Sequence, residues 1–228
     1  MLRFANCALV CAALALPCFV APGLTAQDKS APKADRWEKE ISALTAKDDT
    51  NPPQEGGIVF VGSSSIRLWD LKKSFPDLPV INRGFGGSQL ADSVRYAGRI
   101  VTAYKPKTVV LYAGDNDLAG GKSPEQVASD FDQFVSLIRK DLPEAKIIYI
   151  PVKPSPSRWK LIEKMNETNG LIRERCEKGE KLVYVDIVKP MLDSNGQPRP
   201  ELYKKDMLHM NDEGYEIWAE ALKPHLVR

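Results

Sequence analysis

The sequence predicts an α/β domain in which a parallel sheet carries helices on both faces. Short apolar runs rich in β-branched residues recur along the chain, and amphipathic helical patterns separate them. Continuously apolar runs of this length are typical of strands buried on both faces of a parallel sheet. The alternation of strand and helix therefore indicates a sheet covered on both sides, within a single domain.

Five apolar runs are predicted to be the strands: residues 58–61, 80–81, 108–112, 147–150 and 182–185. Helical spacing of apolar residues predicts helices over residues 35–46, 90–104, 124–140, 159–176 and 212–222. Ser123 is the predicted N-cap of the third of these helices. In such sheets the functional residues lie in loops at the carboxyl ends of the strands, so these loops are where a site is expected.

Residues 1–26 have the pattern of a secretory signal peptide. Arg3 is the only charge before Asp28, residues 8–20 are apolar, and a small residue, Ala26, stands where a peptidase would cut. The run is shorter than the roughly 20 residues that span a bilayer. We therefore expect an exported protein, periplasmic or secreted, with no stable membrane insertion after cleavage. A retained N-terminal anchor is the alternative. Residues 27–57 are interpreted as a lead-in that contains a short helix.

Composition excludes several classes of function. The formal net charge is +2, which gives no reason to expect a nucleic acid or an anionic membrane as partner. Cys7, Cys11 and Cys18 lie in the predicted signal peptide, so only Cys176 remains in the folded part. That part therefore has no intrachain disulfide and no Cys/His cluster for zinc, and we expect no metal and no organic cofactor.

The first polar motif follows the first predicted strand. Gly62 and the serines Ser63, Ser64 and Ser65 form a strand-to-helix turn, where a hydroxyl and the first helical amides would face the same point. This arrangement suits a nucleophile, because those N–H groups stabilise an oxyanion. An ordinary turn with a serine N-cap is the alternative. The local pattern does not choose among the three serines.

Two further motifs follow the second and third predicted strands. The glycine-rich segment 82–88 leads into a helix and could offer backbone N–H groups to an anion, to a nucleotide phosphate, or to nothing beyond a tight turn. The segment Gly114-Asp115-Asn116-Asp117 brings a neutral side-chain donor, Asn116, which could serve an oxyanion. A simple Asx turn is its alternative.

The most specific motif is Asp206-Met207-Leu208-His209. An aspartate three residues before a histidine in a loop can reach Nδ1 of the imidazole and leave Nε2 facing a nucleophile. The chain has one other histidine, His225, close to its C-terminus. A histidine held by local hydrogen bonds near a helix start is the alternative.

Taken together, the four motifs resemble the four sequence blocks of the SGNH hydrolases, the GDSL esterase/lipase superfamily. The resemblance extends from about residue 58 to 226, and assigns residues 58–228 to an SGNH hydrolase domain. Within the superfamily, the chain is most similar to the branch that includes platelet-activating-factor acetylhydrolase-like and sugar acetylesterase-like proteins. The resemblance implies a flavodoxin-like three-layer α/β/α sandwich with a five-stranded parallel sheet.

The resemblance also implies roles for particular residues. Ser64 would be the nucleophile, with His209 as general base and Asp206 as the acid that orients it. The oxyanion hole would consist of the Ser64 and Gly87 N–H groups and the Asn116 side chain.

One position departs from the family pattern. Before the nucleophile, where the family usually has an acid, this chain has Ser63. After the nucleophile, where the family usually has an apolar residue, it has Ser65. The four name-giving groups are retained, so the chemistry should survive. The first block nevertheless loses a carboxylate that normally ties neighbouring loops together.

The predicted function is hydrolysis of carboxylic esters, with a small-molecule or carbohydrate ester as substrate. No long apolar lid interrupts the motifs, and polar or aromatic residues lie near them, which favours an acetyl group on a polar alcohol. Those residues are Arg67, Trp69, Arg83, Arg158 and Trp159. For both tryptophans, packing in the core or on a helix surface is favoured over contact with a sugar. Alternatives are a lysophospholipase or thioesterase, a binding module that lost the reaction, and a nucleotide-binding flavodoxin-like protein.

Overall fold

The computed structural model describes residue 1 and residues 36–46, 48, 50 and 52–226. The predicted signal peptide, apart from Met1, and the first part of the lead-in lie outside the described residues. Within the described ranges, no helix is long and apolar enough to cross a membrane.

The five predicted strands form one parallel sheet. Its strands are β1 (Ile58–Gly62), β2 (Val80–Gly84), β3 (Thr108–Tyr112), β4 (Lys146–Tyr149) and β5 (Leu182–Tyr184). Their spatial order is β2-β1-β3-β4-β5, and all neighbours are parallel. The predicted fold class is confirmed. The edge strands β2 and β5 are only partly buried, because each lacks a neighbour on one side, so two-sided burial holds for the three inner strands.

Successive residues of the inner strands pack into two different cores. Val59, Val61 and Leu111 face one core, whereas Phe60 and Val110 face the other. Side chains of a strand alternate between the two faces of the sheet, so a strand that is apolar at every position contributes to both cores. This alternation explains why the strands appear in the sequence as unbroken apolar runs.

Eight helices lie among the described residues. They are α1 (Glu38–Thr45), α2 (Ser64–Arg67), α3 (Leu71–Ser74), α4 (Leu90–Ile100), α5 (Asp115–Ala119), α6 (Pro124–Asp141), α7 (Ile162–Lys178) and α8 (Asp212–Leu226). Residues of α1, α4, α6 and α7 line the first core, and residues of α2, α3 and α8 line the second. The result is three layers with the sheet in the middle.

The helices differ from the prediction at their ends and in number. The predicted helix over 90–104 ends at Ile100 and continues as a 3₁₀ turn, Thr102–Tyr104, and the predicted 159–176 helix begins with the 3₁₀ segment Pro156–Leu161. The one-turn helices α3 and α5 were not predicted, since a single turn is too short to show a helical period, whereas α2 is the helix expected after the serine turn. The last helix reaches Leu226, and the His225 carbonyl accepts from Lys146 Nζ at 3.0 Å.

Candidate active site

The site is positioned by the carboxyl ends of three adjacent strands. Gly62, the last residue of β1, is paired with Gly84 of β2 and with Tyr112 of β3. The segments that follow these three residues therefore leave the sheet side by side. They carry the serine motif, the glycine-rich segment and the asparagine motif.

The serine turn depends on Gly62. Its φ is +136°, and a Cβ built on it would lie 1.9 Å from the Tyr112 carbonyl oxygen. Only glycine fits this conformation and this close approach. The Ser63 N–H then donates to the same carbonyl at 3.1 Å, and α2 begins at Ser64. The Ser64 N–H is thus the first amide of a helix and has no acceptor within it.

The three serines occupy different surroundings. Ser63 is fully buried, and its Oγ has no hydrogen-bond partner among the described residues. Ser65 is also buried, and its Oγ accepts from Lys153 Nζ at 3.2 Å. Ser64 is partly exposed, and its Oγ lies 2.9 Å from Nε2 of His209. Of the three, Ser64 is the one placed beside a base.

His209 lies between Ser64 and Asp206. Its Nδ1 is 2.6 Å from Asp206 Oδ2, and because an ionised carboxylate only accepts, Nδ1 carries the proton and Nε2 is free to accept from Ser64. Asp206 Oδ1 accepts from the backbone N–H groups of Leu208, at 3.0 Å, and His209, at 2.9 Å. Partial desolvation acts to raise the pKa of Asp206, but these hydrogen bonds outweigh it and hold the pKa well below its ordinary value.

Contacts on both sides fix the loop that carries His209. The Met207 carbonyl accepts from the Ser157 N–H at 3.0 Å, and the His209 carbonyl accepts from the Lys204 N–H at 2.8 Å. From α8, the Tyr215 hydroxyl donates to the Ser65 carbonyl at 2.8 Å. These bonds join the C-terminal part of the chain to the serine turn, 145 residues away in sequence from His209.

The glycine-rich segment lies against the serine turn. The Phe85 N–H donates to the Gly62 carbonyl at 2.9 Å, and the Ser88 hydroxyl donates to the Phe85 carbonyl at the same distance. Gly87 has a φ of +74°, which a residue with a side chain rarely adopts. Its N–H has no acceptor among the described residues, so this donor is available.

Asn116 is held in one orientation at the start of α5. Its Nδ2 donates to the Ser88 carbonyl at 2.9 Å, next to Gly87. Its Oδ1 accepts from Arg158 Nη2, also at 2.9 Å. The three predicted oxyanion donors therefore belong to segments that are hydrogen-bonded to one another at one edge of the sheet.

A buried ionic cluster behind Asn116 was not predicted. Asp115 and Lys153 are both buried, with Lys153 Nζ 3.2 Å from Asp115 Oδ2 and 3.0 Å from the Tyr112 hydroxyl. Arg158 Nη1 lies 3.0 Å from the same Asp115 oxygen. Burial acts to raise the pKa of Asp115, but the two cations outweigh it and lower the pKa. Lys153 follows β4, so the rule that functional residues follow strands could have indicated it.

Asp117 was likewise given no role by the sequence. It is buried, and both of its carboxylate oxygens accept from the Leu90 N–H at the start of α4, at 3.1 Å. Lys122 Nζ donates to it at 2.9 Å. Asp117 thus ties the asparagine motif to the helix that follows the glycine-rich segment.

Some residues predicted near the motifs serve other contacts. Arg83 is buried, and its Nη2 donates to both carboxylate oxygens of Asp48 at 2.7 Å, so it does not face the site. Trp69 belongs to the second core and stacks on Tyr215. Arg67 is exposed and lies beside Gly86. Among the described residues, no group of three or more His, Cys, Asp or Glu side chains could hold a metal ion.

The chain matches the model of the GDSL-like Lipase/Acylhydrolase family over residues 67–217, which is more than half of its length. The match begins just after the serine turn and includes the other three motifs.

Curated relatives cover most of the chain. Platelet-activating factor acetylhydrolase IB subunit alpha2 of Rattus norvegicus is 28% identical over 203 residues, which cover 83% of this chain and 82% of the relative. The Homo sapiens protein of the same name is 27% identical with the same coverage.

Solved structures show the same fold. A GDSL-like lipase from Bacteroides thetaiotaomicron superposes with a TM-score of 0.69 at 23% identity, covering 82% of this chain and 96% of that one. A carbohydrate esterase family 3 protein from Talaromyces cellulolyticus gives a TM-score of 0.58 at 18% identity, covering 75% and 95%.

Proposed function

Because this chain belongs to the GDSL-like lipase/acylhydrolase family, and is a serine hydrolase of ester bonds, we propose that Ser64 attacks short-chain acyl esters of polar alcohols. Acetyl esters of carbohydrates are the preferred class. The observation that carries the proposal is the continuous hydrogen-bonded series from Asp206 through His209 to Ser64.

The first half of the reaction forms an acyl-enzyme. His209 Nε2 takes the hydroxyl proton as Ser64 Oγ attacks the acyl carbon, and Asp206 stabilises the imidazolium that results. The protonated imidazole then gives this proton to the departing alcohol oxygen, and the acyl group stays on Ser64 as an ester.

The second half releases the acid. His209 removes a proton from water, the resulting hydroxide attacks the acyl carbon, and Ser64 leaves with the proton returned by the imidazole. In both halves the negative oxygen is held by the N–H groups of Ser64 and Gly87 and by Asn116 Nδ2. Removing one such donor typically lowers kcat by about 10²–10³.

Little apolar surface is exposed to hold a long acyl chain. Apart from Met1, the largely exposed large apolar side chains among the described residues are Leu68 and Met207, each 39% exposed. Leu68 follows the nucleophile by one helical turn, and Met207 lies in the loop of His209. Two such side chains suffice to contact a short acyl group, whereas a long chain requires an extended apolar surface.

The names of similar proteins also favour acetyl. The rat relative is an acetylhydrolase of platelet-activating factor. A solved structure from Geobacillus that superposes on this chain with a TM-score of 0.59 is that of an acetyl-xylooligosaccharide esterase. The alcohol differs between the two, and the few largely exposed large apolar side chains among the described residues favour a polar alcohol such as a carbohydrate. An acetyl ester on a phospholipid-like alcohol is the second candidate, supported by the sequence relatives.

The experiment compares p-nitrophenyl esters from acetate to laurate, followed by acetylated sugars and acetylated lysophospholipids. We expect kcat/KM to fall steadily beyond butyrate and acetylated sugars to be cleaved. A preference for laurate would instead identify a lysophospholipase or thioesterase. Thermal unfolding should be unchanged in Ser64→Ala.

Ser64→Ala and His209→Ala should each reduce turnover by at least about 10⁴. A fluorophosphonate probe should label the unaltered protein and not Ser64→Ala. Undiminished hydrolysis by Ser64→Ala would refute the assignment of the nucleophile. Absence of both labelling and turnover in the unaltered protein would identify a binding module.

We also propose that the protein is exported. The support is the charge and apolar pattern of residues 1–26. Expression of the full chain in a bacterium should yield a periplasmic or secreted product that begins at Gln27, as measured by intact mass. A membrane-bound product of full mass would indicate a retained anchor instead.

A further inference from the structure

We infer that Arg158 is a positioning residue for the oxyanion hole, acting through the side-chain amide of Asn116. The inference rests on the proposed function, since it assigns to Asn116 the role of oxyanion donor. It goes further by naming the residue that makes this donor point in the right direction.

The two contacts of the amide permit only one of its two orientations. Arg158 Nη2 donates to Oδ1 of Asn116, and Nδ2 of Asn116 donates to the Ser88 carbonyl. Rotating the amide by half a turn would set an NH₂ group against a guanidinium and a carbonyl oxygen against another carbonyl oxygen. Both contacts would then be repulsive, because a guanidinium has no acceptor and a carbonyl has no donor.

In the permitted orientation one Nδ2 hydrogen forms a hydrogen bond within the protein, and the other remains available as a donor. The first donates to Ser88, and the second is available to an oxyanion beside Gly87. A guanidinium on Oδ1 also withdraws electron density from the amide, which strengthens the remaining N–H as a donor. Arg158 therefore fixes both the direction and the strength of this donor.

Arg158 is itself held in place by Asp115. Its Nη1 lies 3.0 Å from Asp115 Oδ2, and its side chain is 18% exposed. Asp115 also contacts Lys153, whose Nζ reaches Ser65 Oγ next to the nucleophile. The buried cluster of Asp115, Lys153 and Arg158 thus links the serine turn to the asparagine motif.

This cluster joins neighbouring loops, a link that Ser63 does not make. The family pattern has a carboxylate before the nucleophile, whereas here the Ser63 hydroxyl is buried without a partner among the described residues. Asp115 supplies a buried carboxylate from the neighbouring strand end instead, and its two cations extend to both loops. The tie between the loops is therefore retained with a different residue.

The geometry favours positioning over direct contact with substrate. Nη2 of Arg158 donates to Asn116 Oδ1, whereas Nη1 is buried and forms an ion pair with Asp115 without a hydrogen bond to any described residue. A guanidinium that bound substrate would raise KM when removed, whereas one that orients an oxyanion donor should lower kcat.

The test is a double-mutant cycle with Arg158→Met and Asn116→Ala. Hydrolysis of p-nitrophenyl acetate is measured for each variant, and the rate found for Ser64→Ala is subtracted as background. We expect Arg158→Met alone to lower kcat about tenfold or more, with KM changed by less than about twofold. In the Asn116→Ala background the same substitution should change kcat by less than about twofold, because the residue it orients is gone.

Two further variants complete the design. Arg158→Lys, which keeps the charge and one donor, should recover part of the lost kcat, and it replaces Arg158→Met in the cycle if that variant does not fold. Arg173→Met is the matched control, since it removes an exposed arginine paired with Asp186, and it should leave kcat unchanged.

Three results would overturn the inference. They are equal effects of Arg158→Met with and without Asn116, a rise in KM at constant kcat, and unchanged kcat in Arg158→Met. Failure of the proposed function would be seen separately, as undiminished turnover by Ser64→Ala.

Discussion

Asp206 uses its two carboxylate oxygens for different tasks. Oδ2 contacts the His209 ring, and Oδ1 accepts two backbone N–H groups that fold the loop around it. Met207, between these residues, has a φ of +54°, a left-handed conformation that the hydrogen bonds to Asp206 hold in place. One side chain therefore sets both the tautomer of the base and the shape of the loop that presents it.

Asp206→Asn should separate these two tasks. The amide oxygen can still accept the backbone N–H groups, but an NH₂ group facing Nδ1 favours the wrong imidazole tautomer. We expect kcat to fall by up to about 10⁴, and by less than in His209→Ala, with the unfolding temperature little changed. Steady-state kinetics and thermal unfolding of the two variants measure this, and Asp206→Asn with full activity would contradict it.

Gly62 permits the close passage of β1 beside Tyr112. Gly62→Ala places a methyl group 1.9 Å from the Tyr112 carbonyl oxygen at a φ of +136°, so we expect the free energy of unfolding to fall by on the order of 3 kcal/mol. Gly98→Ala is the matched control, because nothing lies within 4 Å of the added methyl group. That control should be stabilising by about 0.5–1 kcal/mol in helix α4. Urea unfolding of both variants measures the contrast, and equal effects would contradict it.

At the scale of elements, strand ends and short helices build the site. The segments after β1, β2 and β3 supply the serine, glycine and asparagine motifs, the segment after β4 supplies Lys153 and Arg158, and the segment before α8 supplies Asp206 and His209. Each polar side chain is held by a neighbour from a different element. The site is therefore only as stable as the contacts between these loops.

Asp115 is buried and contacts two cations from the segment after β4, so Asp115→Asn tests how much this contact contributes to stability. The substitution leaves Lys153 buried without a carboxylate, and we expect a loss of about 3–5 kcal/mol in the free energy of unfolding. Asp132→Asn, which breaks an exposed pair with Arg175, should cost less than about 1 kcal/mol. Urea denaturation distinguishes the two, and a small effect of Asp115→Asn would show that the cluster contributes little to stability.

Elements were predictable from the sequence to the degree that their pattern is local. The inner strands were predicted because neighbouring residues such as Phe60 and Val61, which point to opposite faces of the sheet, are both apolar. The helix α6 was predicted because its apolar stripe continues for several turns. The helix α2 could not be found by period, since it has four residues. Arg158 was noticed only as a polar residue near a motif, because its contact with Asn116 joins residues 42 positions apart.

At the scale of the whole molecule, two cores enclose the sheet, and Cys176 lies in one of them. Burial raises the pKa of the Cys176 thiol to about 12, compared with about 8.5 for an exposed cysteine. The unfolded chain thus releases this proton at a lower pH than the folded chain. Stability from this residue is complete below about pH 8.5 and declines as the pH rises from there toward 12.

Labelling of Cys176 should report global unfolding. At pH 8 in buffer we expect iodoacetamide to modify the peptide containing Cys176 very slowly, and in concentrated urea at the rate of a free thiol. Mass spectrometry of that peptide separates it from the N-terminal cysteines. Fast labelling without urea would show that this part of the first core opens locally.

The long separation between nucleophile and base has a consequence for biosynthesis. A nascent chain that has emerged only as far as residue 205 already contains the residues of all five strands and the serine, but no histidine. It lacks the general base proposed here until residues 206–209 are translated and dock beside the serine turn. If Ser64 and His209 act as proposed, hydrolysis cannot begin before residues 206–209 have been synthesised and lie beside Ser64.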